Sequence, residues 1–318
     1  KEVTSENKNA STQMNWNEVG TLGFDVFQNN YFNRSGFTIP STFSKVGRFY
    51  PAYFSITTTE WDYPEEQGST YGTYVYMGQN FTNVDFQVMS YSASGTDTIN
   101  YGSFDESLKA WFSLVGEHAT RLNITNADLD ASHWGNGALW QVSNLNHAVV
   151  WSRLNDSTLA GNITTKPDGP FNMSGNTSSI TTALGLEISG ADPVSFDATS
   201  FDPAVIEQEL LSQPDTRYGR MVLDSVGTSV GSDVNVPLRV EYWNGNSFVL
   251  SNKDDASKFE GEKYCKQTVW PDPTQSSSVI LKGSNTVTQG SDVTNLVADA
   301  NKSSLREQVR FWLRLANT

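Results

Sequence analysis

The chain is short of the residues that staple, span or react. It has one cysteine in 318 residues, so no disulfide can close within it. Cys265 is either a free thiol or a partner for a thiol outside this segment. Histidine is almost as scarce. His118, His133 and His147 are the only three, and none sits in a nucleophile motif, so a Cys–His catalytic pair is not expected. No apolar run reaches the length of about 18 residues that a membrane-spanning helix requires. Basic residues number 21 against 35 acidic ones, a formal net charge of −14. A nucleic-acid binder needs a basic face to displace counterions, so nucleic acid is excluded as a partner. An anionic membrane surface is disfavoured for the same reason. No Gly-x-Ser-x-Gly elbow, P-loop or His-Glu-x-x-His motif occurs. Glu187, Asp192, Glu241 and Asp254 are available acids, but nothing in their spacing sets two of them across one bond, as glycosidase chemistry needs. The chain is not expected to be an enzyme.

Runs of Ala, Leu, Glu and Lys are also missing, which argues against a helical bundle. Gly, Ser, Thr and Asn are abundant and aromatics make up 12% of the chain, a mixture that favours strands joined by many turns. The length suggests roughly two domains. Residues 1–18 open on a polar stretch with no signal peptide and are expected to be disordered. The chain is therefore read as a segment of a longer protein or as a mature form. Asn33, Asn80, Asn123 and Asn172 lie in sequons, at a frequency that chance explains in so Asn-, Ser- and Thr-rich a chain.

Period-two alternation marks the strands. Leu22, Phe24 and Val26 alternate within Val19–Phe27, and Val84, Phe86 and Val88 alternate with Asp85 and Gln87. Val46–Ile56 reads as a strand interrupted by Pro51, which implies a sheet edge or a bulge. Residues 62–70 read as a loop. Further strands are expected over 74–78, 108–115, 148–154, 179–189 and 309–315. One segment asks to be a helix: Asp202 can cap it, Pro203 suits its first turn, and Ala204–Leu211 carries Val205, Ile206, Leu210 and Leu211. Asn244-Gly245 marks a β-hairpin. The apolar positions Leu238, Val240, Tyr242, Phe248 and Leu250 are all even, so an odd loop is expected. A three-residue loop over 243–245 would pair Val240 with Phe248 and Leu238 with Leu250. The fold class expected is all-β, with tandem antiparallel Ig-like β-sandwich domains at 19–200 and 201–318 and one short linker helix.

Four stretches carry a resemblance. They are Val46-Gly-Arg-Phe-Tyr-Pro-Ala-Tyr-Phe54, Tyr74-Val-Tyr-Met-Gly-Gln79, Arg217-Tyr-Gly-Arg220, and Val236-Pro-Leu-Arg-Val-Glu-Tyr-Trp-Asn-Gly245 followed by Asn252-Lys-Asp-Asp255. In this order the chain resembles, over residues 19–318, the large C-terminal domain of MshQ-type proteins, a family of mannose-sensitive haemagglutinin (MSHA, type IV) pilus biogenesis in Gram-negative bacteria. The resemblance implies an extracellular or cell-surface location, pilus or cell-surface proteins as partners, and a role in pilus biogenesis and surface attachment. It brings no catalytic residues. It would also imply a cysteine soon after the Asn-x-x-Asp stretch and another before Tyr-Met-Gly. Here Cys265 comes several residues late, and Tyr71-Gly-Thr-Tyr74 supplies none.

Two groups of residues suggest a ligand. Asp128, Asp130 and Asn136 are hard oxygen donors close together in an Asx-rich loop and are candidates for calcium, although such turns also form for backbone reasons. Lys253-Asp254-Asp255 is a weaker candidate of the same kind. Trp134, Trp140 and Trp151 lie near Asp and Asn, and Trp243 is expected at an exposed hairpin tip. Exposed indoles beside amides could stack on sugar rings, which makes a calcium-assisted, lectin-like glycan module the alternative function. The competing reading of the same tryptophans is core packing.

Overall fold

The computed structural model describes residues 14–28, 35–36, 39–64, 74–155, 165–229, 231–301 and 306–314. Expectations for residues 1–13, Asn33, most of the 62–70 loop and Leu315 lie outside the described residues.

The protein is all-β, built from short sheets that are antiparallel except for one two-stranded parallel pair. The alternation at Leu22 and Phe24 becomes β1 (Gly20–Gln28), which pairs antiparallel with β2 (Ile39–Phe49) in a two-stranded ribbon. Residues 43–49 of that ribbon are exposed on both faces, so no second sheet covers them among the described residues. Val19, just ahead of it, is buried in the first core, and Arg48 is ion-paired with Asp192. Tyr50 and Pro51 separate β2 from β3 (Tyr53–Asp62), so the proline lies between two strands of different sheets.

After β4 (Val75–Tyr76) comes β5 (Asn83–Tyr91), where the alternation is realised most cleanly: Val84, Phe86 and Val88 are buried and Asp85 and Gln87 are not. β5 is the centre of a sheet with β3 on one side and β7 (Leu139–Val142) on the other. Opposite it, β6 (Trp111–Val115) pairs with β10 (Gly185–Ser189), while β8 (Leu154–Asn155) and β9 (Thr165–Lys166) form a separate short ribbon. Phe112 of β6 meets Trp140 of β7 with ring centroids 4.6 Å apart, and Phe54 of β3 at 6.0 Å. These contacts close the first core, and most of its bulk is aromatic.

The helix expected at Ala204–Leu211 is instead an edge strand, β11 (Glu207–Glu209), paired with β10 from Gly185↔Glu209 to Glu187↔Glu207. The Asp202 cap does form, since its carboxylate accepts from the Ala204 N–H. The chain then extends because Ile206, Gln208 and Leu210 face inward at period two. Gln208 belongs to that inner set because its amide oxygen accepts from the Ile56 N–H at 3.1 Å.

The second unit begins with β12 (Thr216–Arg217) and β13 (Gly219–Leu223) and continues through β14 (Val234–Asn235), β15 (Leu238–Trp243) and β16 (Phe248–Leu250). β17 (Lys258–Glu260), β18 (Tyr264–Trp270), β19 (Ile280–Lys282) and β20 (Ser284–Thr286) follow. β21 (Ser291–Asp292), β22 (Val297–Asp299) and β23 (Gln308–Leu313) complete it. Its core is smaller and aliphatic, with Leu238, Val240, Leu281, Val287 and Leu296 at its centre. The Asn244-Gly245 hairpin forms, but its register is Trp243↔Phe248, Tyr242↔Val249 and Glu241↔Leu250. The loop is therefore residues 244–247, not the expected three-residue loop. The Trp243–Phe248 ring pair, 5.3 Å apart and edge-on, fixes this register. The Asn244 side chain caps the Asn246 and Ser247 N–H groups, and Leu250 is left exposed.

Candidate functional site: a buried joint between the two β units

Val75 and Tyr76 form the short strand β4 in the first half of the sequence, and Tyr74 immediately precedes it. The partner of β4 is β12, in parallel register Thr216↔Val75 and Arg217↔Tyr76. This pairing delivers Arg217 onto the Tyr74 ring, with the guanidinium carbon 3.7 Å from the ring centroid. Arg217 is buried, and it binds Asp215 through two hydrogen bonds, Nε at 3.1 Å and Nη2 at 3.0 Å. The Tyr63 hydroxyl accepts from the Asp215 N–H at 2.9 Å.

One step along the strand, the Tyr76 hydroxyl crosses to the second unit. It lies 2.7 Å from Ser251 Oγ and donates to Asp254 Oδ2 at 2.8 Å. Asp254 has no exposed surface. Its carboxylate also accepts from the Ser257 hydroxyl and from the Ala256 and Ser257 N–H groups. A buried carboxylate is tolerated only when its lone pairs are filled, and here four donors fill them. Gly219 makes the close approach possible, because a Cβ at this position would come within 2.5 Å of the Tyr76 ring. Arg220, next in β13, binds Glu241 of β15 through Nε and Nη2 and lies 3.5 Å from the Phe248 ring centroid. Arg153 adds a further tie from the first unit, donating to the Met77 and Gly219 carbonyls with its guanidinium over Tyr218.

The electrostatics of this joint suit holding better than reacting. Burial pushes the Tyr63 hydroxyl up to about 12 and raises Tyr74 and Tyr76 as well, so all three stay protonated donors at neutral pH. Burial also raises Asp215 above the ordinary carboxylate value, against the pull of Arg217.

The residues singled out from sequence fall elsewhere. Trp134, Trp140 and Trp151 are 4%, 0% and 0% exposed, so they are core and cannot stack on a sugar. Trp134 and Trp140 direct their indole N–H groups to the carbonyls of Ala110 and Asp130. Trp243 is half-buried against the first core, in a hairpin arm and not at an exposed tip. The glycan platform therefore loses its rings. Asp128 and Asp130 act as 3₁₀ caps: Asp128 closes a capping box with Thr125, and Asp130 accepts from the N–H and hydroxyl of Ser132. Asn136 is exposed in the turn beyond. Among the described residues no group of three or more His, Cys, Asp or Glu side chains is placed to hold a metal ion. Asp255 is occupied as well, accepting from the Gln289 N–H. Asn123 and Asn172 use their side-chain amides in hydrogen bonds to Ala148 and Pro214 carbonyls, which competes with glycosylation.

The other carboxylate oxygen of Asp128 receives His147 Nε2 at 3.0 Å. His147 is raised above 6.5 by its contact with the Ala148 carbonyl and by Asp128. A raised histidine contributes stability that is fully present below 6.5 and is lost as pH rises through the raised value. An NMR titration of Asp128→Ala should show the His147 midpoint falling, with the Ala148 contribution retained. An unchanged midpoint would refute the pairing.

In the sequence, Tyr74, Tyr76, Arg217, Gly219 and Arg220 stand within the motif stretches without a role of their own, and Asp254 stands out only as an available acid and a weak cation ligand. The available signal was unusual polarity inside strand patterns: two tyrosines on one face, and arginines next to glycine. Fold and joint together define an all-β protein whose two units are locked by a buried polar seam. The chain belongs to the DUF6701 family: the model of its third domain matches residues 18–204 and that of its fourth domain residues 217–318. The joint straddles the boundary between those two matches. No curated protein and no solved structure matches the chain.

Proposed function

We propose that this chain is a non-enzymatic, stiff two-unit module of a cell-surface or pilus-associated protein, of the MshQ type, acting in pilus biogenesis and surface attachment. The observation that supports this reading is the joint itself. Arg217, Asp254 and Tyr76 commit buried charge and hydrogen bonds to fixing one β unit on the next, which serves a spacer that must hold partners apart. The raised phenols beside them supply neither a base nor a nucleophile near neutral pH. In this role the antiparallel sheets present loops and strand edges outward to protein partners. The test is made in a bacterium that carries the gene. Antibody against this chain should label intact cells, and deletion should reduce piliation and surface attachment. Complementation with the full gene should restore both. Failure to label, or wild-type piliation and attachment after deletion, refutes the reading.

A further inference from the structure

The second unit has an unfinished side. β13 is the edge of its sheet, and β23 pairs only with β18, so each strand has one edge with no partner strand among the described residues. A groove of about 740 Å³ runs between these two strands. Its walls include Val309 and the half-buried Met221, Leu223, Phe311 and Leu313, which pack against the second core. The backbone direction of β23 follows from one bond. The Arg314 N–H donates to the carbonyl of Lys263, the residue just before β18, and the register that this bond continues makes the even-numbered residues direct their backbone groups to β18. Val309, Phe311 and Leu313 therefore turn their N–H and C=O groups toward the open edge. On β13 the Gly219 carbonyl is taken by Arg153, which leaves β23 as the longer free edge.

Charge narrows the occupant. In a chain of net charge −14, the groove rim carries Arg306 and Arg310, and no carboxylate is paired with either among the described residues. Arg220 and Asp224, also in the lining, are already paired with Glu241 and Arg239. One carboxylate oxygen of Glu307 in the same lining is buried without a hydrogen-bond donor. One internal candidate fails on chemistry. The segment 1–13 has too few apolar residues to cover the floor.

We infer that this groove accepts a β-strand from another polypeptide, with apolar side chains at alternate positions and acidic ones between them. The added strand pairs with the open edge of β23, lays its apolar side chains over Met221, Leu223 and Phe311, and turns its carboxylates toward Arg306 and Arg310. Nothing in this depends on the joint, so the two readings can fail separately.

The probe is a soluble peptide alternating valine with aspartate and long enough to span β23, added to the full chain. Hydrogen exchange should show the Val309, Phe311 and Leu313 amides protected about tenfold or more, with little change at Arg310 and Trp312, which β18 already protects. A peptide of the same composition with the alternation broken, and one with lysine for aspartate, should bind roughly tenfold or more weakly. Arg310→Glu changes an exposed side chain and leaves the fold intact. It should weaken the aspartate peptide and favour the lysine peptide. Unprotected odd-numbered amides at millimolar peptide overturn the proposal. So does equal binding of the scrambled peptide, or protection of these amides by self-association of the chain without peptide.

Discussion

Replacing Asp254 with alanine should destabilise the second unit by about 3–5 kcal/mol, the range for removing one partner from a buried charged network. The carboxylate receives the Tyr76 and Ser257 hydroxyls and the Ala256 and Ser257 N–H groups, and it has no contact with solvent. Alanine leaves those donors facing a void that the backbone cannot refill. Tyr76 keeps Ser251, so the first unit should unfold close to its normal midpoint. Asp254→Asn should cost less, about 1–2 kcal/mol. Its oxygen can still accept from the two N–H groups, and its NH₂ can donate to a Tyr76 hydroxyl that turns to Ser251. Urea denaturation followed by intrinsic fluorescence measures both. The order alanine worse than asparagine is the diagnostic one. A loss below about 1 kcal/mol for alanine would mean that water reaches the site and that the seam is not dry.

The legible part of this fold was the part governed by one sheet face. Val84, Phe86 and Val88 are buried as their alternation requires, and Phe311 and Leu313 turn inward while Arg310 and Trp312 turn out. Alternation reports that a face is covered, but not what covers it. Trp134, Trp140 and Trp151 read together as a possible sugar platform near Asp and Asn, yet they are buried, and the Trp140 indole N–H donates to the Asp130 backbone carbonyl. Ala204–Leu211 misled in a second way. Its cap signal at Asp202 was sound, but one inward-facing polar residue, Gln208, concealed a period of two behind apparent helical spacing. At the hairpin, the exposed Leu250 counted as evidence for a register that the Trp243–Phe248 pair overrode.

The joint was illegible for a different reason. Its tyrosines, Tyr74 and Tyr76, lie more than 140 positions before Arg217 and Asp254. Tyr76 and Arg217 lie in strands too short to show a period, since β4 and β12 are two residues each, and Tyr74 and Asp254 lie outside any strand. Only the parallel pairing of those two strands puts the tyrosines, the arginine and the aspartate on one seam. Local pattern carries no information about a parallel contact of this kind, because it is made by chain segments on either side of a whole β unit.

Arg217→Met should destabilise the protein by about 3–5 kcal/mol at neutral pH, and most of that loss should come from Asp215 and not from the arginine. Methionine can replace the packing of the guanidinium stem on Tyr74, but it leaves the mostly buried Asp215 carboxylate without its counter-ion. Burial already holds Asp215 above its ordinary value in the presence of Arg217, and without it the carboxyl moves further up. A carboxyl raised in the folded state binds protons more readily there than in the unfolded chain, so its ionisation subtracts stability as pH rises. The gap between wild type and variant should therefore be small near the unfolded value of 3.8 and widen as pH rises through the folded one. The double variant Arg217→Met with Asp215→Asn removes the charge altogether. It should recover at least half of the single-variant loss and show a nearly flat difference with pH. Urea midpoints of the four proteins, taken at acidic and neutral pH, close the double-mutant cycle. A loss that is independent of pH, or that the double variant does not relieve, would assign Arg217 to packing alone and remove the ion pair from the seam that joins the two units.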